Sequence, residues 1–307
     1  MPLHHAGNLK SGLSLRLFFP RGKKTMASIL TNSSALTALQ TLASTNKSLE
    51  STQNRISTGL RISEASDNAS YWSIATSMKS DNKANSAVQD ALGLGAGKVD
   101  TAYSAINKIR ESVDDIKTKL VSAMGASTED KGKIETEIKS IVANINSALS
   151  NANYAGSNLL NGPTTDLDVV ASYNRSGNAV TVDKITVKAT DTDAKTMVKD
   201  IVDAGFFTSA SDDTAIGTAL NTVETALASL ATGAATLGAA KSQIDSQKSF
   251  LSGLQDSIEK GVGTLVDADM NKESARLSAL QVQQQLGVQA LSIANSSNQS
   301  ILSLFRG

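Results

Sequence analysis

The sequence predicts a mainly α-helical protein. Its N- and C-terminal segments form a long antiparallel helical bundle or coiled coil, and a small central outer domain carries a β-hairpin. Three observations predict this. Apolar residues recur at alternating four- and three-residue steps through both ends of the chain, the coiled-coil spacing. The period changes to two only in the middle, in "LDVVASYN" and "NAVTVDKITVKA", which are rich in β-branched residues. Aromatic residues make up only 4% of the 307 residues. A thick globular core leans on large rings, so this composition suits long helices packed side by side through small residues.

The first 25 residues stand apart. "MPLHHAGNLKSGLSLRLFFPRGKKT" holds five Lys/Arg, no acid and both histidines of the chain. The apolar run "LSLRLFF" is short, Arg16 interrupts it and no small-residue cleavage site follows, which argues against a signal peptide. We read residues 1–25 as a disordered leader or as translation from an early start codon, with Met26 as the start. Without them, 24 basic residues face 29 acidic ones, a net charge of −5.

From Ser33 the stripe of the first helix runs through Ala35, Leu39, Leu42, Asn46, Leu49, Gln53, Ile56 and Leu60. Asn46 and Gln53 are polar seam residues, a device that costs stability and fixes register. Gly59 costs a helix about 1 kcal/mol relative to Ala, and "SEASDN" offers cap and turn formers. The helix therefore ends between Leu60 and Asp67. A long helix follows, with Ile74, Met78, Val88, Leu92, Val99, Tyr103, Ile106, Ile109, Val113, Ile116 and Leu120 on its stripe. Gly93, Gly95 and Gly97 mark close approach or bending in it; no strand precedes them, so a nucleotide loop is not indicated. After "GASTEDKG" a third helix places Ile134, Ile138, Ile141, Ile145 and Leu149 on one face.

"RSGN" between the two alternating runs signals a hairpin, and "DAKTMVKDIVDAG" predicts a short helix after it. From Asp212 helix returns, with Leu220, Val223, Leu227, Leu230, Leu237, Ile244, Leu251, Leu254 and Ile258. The last helix carries two stripes. One is Leu277, Leu280, Gln284, Leu291, Ala294 and Ile301; the other is Val282, Leu286, Gln289 and Ile293. A surface helix needs one stripe, so two imply burial on two sides, the second by other chains.

Candidate chemistry is sparse. The formal net charge is zero and cysteine is absent, which indicates no general affinity for nucleic acid and leaves no thiolate chemistry. No apolar run reaches the roughly 18 residues of a membrane span. Asp267 and Asp269 read as a helix-start cap rather than a metal site, and Glu135 and Glu137, two apart, do not share a helix face. The expectation is a non-enzyme without cofactor.

Several segments resemble bacterial flagellin. "MASILTNSSALTALQTL" looks like the flagellin N-terminus, and "RISTGLRISEASDNAS" is similar to the family's "RISSGLRINSAKDDAA". "LVDADMNKESARLSALQVQQQLGVQALSIANSSNQSILSLFRG" resembles its C-terminus, with Ser303, Leu304, Phe305 and Arg306 at the family's closing Leu-Leu-Arg. The pair Tyr71-Trp72 resembles the shorter flagellins of soil-dwelling alphaproteobacteria.

The resemblance implies a subunit that polymerises helically, alone or with other flagellins, into the flagellar filament for swimming. It implies export by the flagellar type III route and, as partners, an export chaperone, the export apparatus, and hook-associated and cap proteins. It implies no nucleic-acid or membrane partner. It also divides the chain: residues 26–67 and 266–307 as an inner coiled coil, 68–162 and 210–265 as a helical rod domain, and 163–209 as the small variable outer domain. "RISTGLRI" becomes a joint between packed layers.

Resemblance and stripe together nominate Leu39, Leu42, Leu49, Ile56, Gly59, Leu60, Arg61, Ile62, Leu280, Leu286, Leu291, Ile293, Ile301 and Leu304 for packing between subunits. Flagellins seen by the animal innate receptor carry an Arg-Glu pair on the long helix. Arg110-Glu111 matches it with a gap of about two helical turns, and an ungapped match puts Lys117 there. Two other readings are a hook–filament junction protein of the same superfamily and an amphipathic helical protein of a granule or membrane surface. The second predicts Lys/Arg-rich polar faces, whereas these faces hold Ser, Thr, Asn and Gln.

Overall fold

The computed structural model describes residues 32–162, 165–177, 179–203 and 206–304, with side chains described as far as residue 296 in the last of these. The leader, both histidines, Met26, Phe305 and Arg306 lie outside the described residues, as do the side chains of Ile301 and Leu304. In chain order the elements are α1 (Ser33–Thr58), α2 (Ala69–Ala123), α3 (Thr128–Asn151), β1 (Asn153–Tyr154), β2 (Ser157–Asn158), β3 (Leu167–Ser176), β4 (Ala179–Val187), α4 (Ala189–Thr192), α5 (Ala194–Met197), α6 (Lys199–Val202), α7 (Asp213–Val266) and α8 (Met270–Leu304). They form two compact units. One joins the described residues up to Gly59 with those from Asp269 on; the other is Leu60–Ala268.

In the first unit α1 and α8 run antiparallel. The Asn32 side chain caps α1, accepting from the Ala35 N–H at 2.9 Å. Asp269 caps α8 through the N–H groups of Asn271 and Lys272 at 3.0 and 3.2 Å, while Asp267 ends α7, so only the second acid of the DxD starts a helix. The inward face of α8 is a heptad of Glu273, Leu277, Leu280, Gln284, Gly287, Leu291 and Ala294, which is the first expected stripe as far as Ala294 plus Glu273 and Gly287.

The α1 seam differs from the expected stripe at every second position. Leu42, Leu49 and Ile56 face α8 as expected, but the alternate positions are Ala38, Thr45 and Thr52, and Leu39 is 55% exposed. Hydropathy points the wrong way at 38/39, where the larger apolar residue lies outside, and it is silent at 45/46 and 52/53, which are polar pairs. The register decides the first. With Leu42 beside Gly287, Ala38 comes level with Leu291, so a small residue faces a large one across the seam. Hydrogen bonding decides at 45/46. Thr45 can be buried because its hydroxyl donates to the Thr41 carbonyl at 2.9 Å. Asn46 has more to satisfy and stays at the edge, accepting from Gln284 Nε2 at 2.8 Å.

The second unit is built on α2 and α7, of 55 and 54 residues, each about 80 Å long at the helical rise. Met78 meets Gly261, Asp100 pairs with Lys241 and Ile106 meets Gly233, an antiparallel register. Leu92, Ile106, Ile109, Ile116, Leu230, Leu237 and Ile244 are fully buried between these helices and their neighbours. The same register brings Asn85 level with Gln255. Asn85 is 3% exposed, and among the described residues neither its Oδ1 nor Gln255 Nε2 has a hydrogen-bond partner. This polar layer separates the main core from a smaller one of Ile62, Ala75, Val262 and Val266. Ile74, placed on the α2 stripe by its spacing, is instead 47% exposed and Ala75 points inward; Ile62, arriving from before the helix, supplies the bulk there.

The central strands lie on this helix pair and share its core. β3 and β4 pair antiparallel from Leu167↔Val187 to Ser176↔Ala179, with a bulge at Ala171. Val169, Ala171, Ile185 and Val187 are buried in the cluster that contains Ile106 and Leu237. The expected short helix "DAKTMVKDIVDAG" resolves into the two single turns α5 and α6, with the unexpected turn α4 before them; Ala194 and Ile201, and Val198 between the two turns, are buried in the same cluster. A second hairpin, β1–β2, was not expected. Its turn puts Ala155 and Gly156 at φ 51° and 80°, and an alanine in that position hides a two-residue turn from sequence reading.

Gly95 and Gly97 of α2 serve approach by strands rather than by another helix, while a Cβ on Gly93 would meet nothing within 4 Å. A Cβ on Gly95 would lie 2.5 Å from Val169 Cγ1, and one on Gly97 would lie 2.6 Å from the Tyr154 ring. Gly253 of α7 has nothing within 4 Å. Gly253→Ala is therefore expected to stabilise by up to about 1 kcal/mol from helix propensity. Gly95→Ala is expected to destabilise, because the buried β-branched Val169 cannot yield and overpacking costs about 1–3 kcal/mol. Urea midpoints of the two variants test this, and equal shifts in one direction would refute the strand contact.

Several surface ion pairs set a pH response. Asp130 is held below the usual carboxylate range by the Ser127 hydroxyl and then by Lys133; Glu135 by Lys139 and then the Ser209 N–H; Asp168 by Thr186 and then Lys184. What these carboxylates contribute is present above their unfolded pKa and lost as pH falls through the lower folded value. Lys117 and Lys241 are raised, by Glu224 and Asp100 respectively; their contribution is complete below the ordinary lysine value and lost as pH rises through the folded one. The thermal midpoint is expected to stay level through neutrality and to fall in acid and again in strong alkali. Each exposed pair contributes little, so a midpoint unmoved in acid would show that even their sum is negligible.

Candidate assembly surfaces

The segment "RISTGLRISEASDN" builds a clamp. Gly59 caps α1 at φ 72°, its N–H donating to the Arg55 carbonyl at 2.9 Å. A Cβ there would meet nothing within 4 Å, so the glycine serves the left-handed backbone and not a close approach. Beyond it the chain grips the end of α7. The N–H groups of Arg61 and Ile62 both donate to the Val266 carbonyl, at 2.6 and 3.2 Å. Arg61 Nη2 donates to the Leu265 carbonyl at 2.9 Å, Leu60 bridges to Asp267, and Ile62 is buried beside Ala75, Val262 and Val266. Asp67 Oδ2 then accepts from the N–H groups of Ser63 and Glu64, and Asn68 caps α2. The isoleucine and arginine of the motif fasten; the glycine turns.

The nominated residues separate into three groups. Leu42, Leu49, Ile56, Leu280 and Leu291 line the inward faces of α1 and α8. Gly59, Leu60, Arg61 and Ile62 form the clamp. Leu39, Leu286 and Ile293 remain 55%, 57% and 69% exposed, and Leu36, Val282 and Val288 are exposed with them. Sequence reading missed the pair Arg55–Glu273, at 3.3 Å with Glu273 7% exposed. A charged residue on an apolar stripe counts against burial until its partner on the other helix is known. It also missed Gly287, where a Cβ would lie 3.2 Å from Leu42 Cδ1.

On α2, Arg110 and Glu111 are exposed, with Glu111 paired to Lys108 at 3.1 Å. Lys117 is tied to Glu224 of α7. Among the described residues no group of three or more His, Cys, Asp or Glu could hold a metal ion, and no helix is long and apolar enough to cross a membrane.

Comparison with known proteins places this architecture. The bacterial flagellin N-terminal helical region matches residues 29–165 and the C-terminal helical region matches residues 220–305. A flagellin of Brucella melitensis is 99% identical over 282 residues, covering 92% of this chain and all of that protein. Flagellin C of Rhizobium meliloti is 43% identical over 92% of this chain and all of its own length. A flagellin of Bartonella bacilliformis is 35% identical over 86% of this chain and 96% of its own. With two helical termini, an unpaired apolar stripe and relatives of this kind matched along their length, the chain belongs to the bacterial flagellins, the exported structural subunits of the flagellar filament.

Proposed function

We propose that the α1–α8 unit joins one subunit to the next, with the outer face of α8 as the principal contact. The observation that carries this is the stripe of Val282, Leu286 and Ile293, between 55% and 69% exposed, on a helix whose other stripe is already covered by α1. Leu36 and Leu39 add an exposed apolar edge on α1. Contacts of this kind are heterologous and propagate without closing, as a filament requires. In this reading Leu42, Leu49, Ile56, Leu280 and Leu291 shape the unit that is presented, and the Gly59–Ile62 clamp sets where it begins. Residues 68–162 and 210–265 serve as the rod, and 163–209 as its outward facing.

The same reading extends to partners. An export chaperone, the export apparatus, and hook-associated and cap proteins would meet the same apolar α8 face, since a subunit in transit and the ends of a filament both leave it uncovered. At Arg110-Glu111 the exposed side chains suit recognition by an innate receptor better than Lys117, which is engaged with Glu224.

The chain has no cysteine, so Leu286→Cys introduces a single thiol. Maleimide should label it rapidly in dilute subunits and slowly in assembled filaments. Equal labelling in both states would remove this face of α8 from the interface.

A further inference from the structure

We propose that Lys47, Arg55 and Arg276 form a recess that takes an Asp or Glu side chain from the Leu60–Ala268 unit of a second copy of this chain. The proposal rests on the reading that the α1–α8 unit joins subunits. The recess has a volume of 390 Å³ and is lined by these three cations together with Ser44, Ser48, Ser51 and Thr52, and no acid lines it. Arg55 gives one nitrogen to Glu273. Lys47 and Arg276 form no ion pair among the described residues. The Ser44 hydroxyl donates to the Thr41 carbonyl at 2.8 Å, but Lys47 and Arg276 keep their charged donors free of any carboxylate, and three cations in one concavity are the chemistry that recognises one.

Charge distribution identifies the source. In the first unit the described charges are Lys47, Glu50, Arg55, Asp269, Lys272, Glu273 and Arg276; residues 32–46 and 277–304 carry none. The recess is therefore its main electrostatic feature. Residues 60–268 hold 19 basic and 26 acidic side chains, a net charge of −7. Two complementary surfaces on one subunit, each unable to neutralise itself, suit a head-to-tail contact, where complementarity fixes register and excludes wrong alignments. The flanking apolar stripes would supply adhesion, and the recess would supply register.

The test uses filaments grown from an equal mixture of nitrogen-15-labelled and unlabelled subunits, treated with a carbodiimide. Such a reagent activates a carboxyl group, and a lysine amine in contact with it displaces the urea to leave an amide. The expected product is a Lys47 cross-link to an acid within residues 60–268 that carries mixed isotopes, hence spans two chains. A second arm compares Lys47→Gln/Arg276→Gln with Lys108→Gln, a control on α2. The double variant should keep its melting temperature as a dilute subunit and raise the critical concentration for assembly roughly tenfold at low salt, with the difference shrinking at about 1 M salt. Cross-links of one isotope only, or a lowered melting temperature of the dilute double variant, would assign the recess to its own chain and overturn the proposal. An unchanged critical concentration, or protection of the dilute subunit by inorganic phosphate without any effect on assembly, would overturn it too. If Leu286→Cys labels equally in subunit and filament, the joining role of the unit fails, a result separate from the fate of Lys47.

Discussion

A chain carrying Leu286→Glu and Ile293→Glu is expected to fold as a subunit and to form no filaments. In the isolated subunit both side chains are mostly exposed, at 57% and 69%. Glutamate is a good helix former, so far-UV circular dichroism and the melting temperature should barely change. In the polymer the same positions are covered on the proposed reading. An unpaired carboxylate in such an interface loses its hydration without compensation, at an effective cost of several kcal/mol per charge, and every subunit repeats it. Leu280→Glu is the informative contrast. Leu280 is 9% exposed and faces α1, so that variant should lose helix content in the dilute subunit as well. Electron microscopy of sheared material, beside the circular dichroism, separates the two effects. Filaments of ordinary length from the double variant would show that the outer stripe of α8 is not an interface.

How far the sequence discloses this architecture depends on how local each determinant is. The heptad period of α1 and α8, the long stripes of α2 and α7 and the β3–β4 hairpin are periodic signals within one segment, and they are readable. What is not readable depends on pairing between segments. That Ala38 and not Leu39 faces the seam is settled by α8 and by the back-bonding of Thr45 one heptad on, against the hydropathy of α1. Gly95 and Gly97 announce a close approach, but only the fold shows that Val169 and Tyr154 are what approaches. Asn85 looks like an ordinary polar residue until the α2–α7 register sets Gln255 opposite it. The clamp lies between these cases. "RISTGLRI" marks a turn by its glycine, yet its grip on Val266 joins residues some two hundred positions apart. The recess at Lys47, Arg55 and Arg276 is of the same kind, scattered in sequence and assembled only when α8 returns alongside α1.

The second large effect is expected at the centre of the α2–α7 pair. Ile106→Ala should destabilise the dilute subunit by about 2–5 kcal/mol, the range for truncating a buried isoleucine. Ile106 is fully buried, and its Cδ1 lies 2.9 Å from where a Cβ on Gly233 would sit. The space it vacates cannot simply collapse. The Asp191 carbonyl oxygen and Met197 Cε already stand 3.1 and 3.2 Å from that same Cβ position, so the α4 and α5 turns also hold α7 off at this point. Gly233→Ala alone should destabilise, because overpacking against Ile106 and a backbone oxygen outweighs the helix-propensity gain of about 1 kcal/mol. Placed in the Ile106→Ala background, the same methyl group meets one obstacle fewer and fills part of the cavity. The double variant should therefore be more stable than the sum of the two single changes by about 1–3 kcal/mol, the coupling of residues that share a contact. Urea midpoints of the four chains complete the cycle. Additive losses would mean that α7 does not approach α2 at this glycine, and the register that sets Asn85 against Gln255 would fall with it.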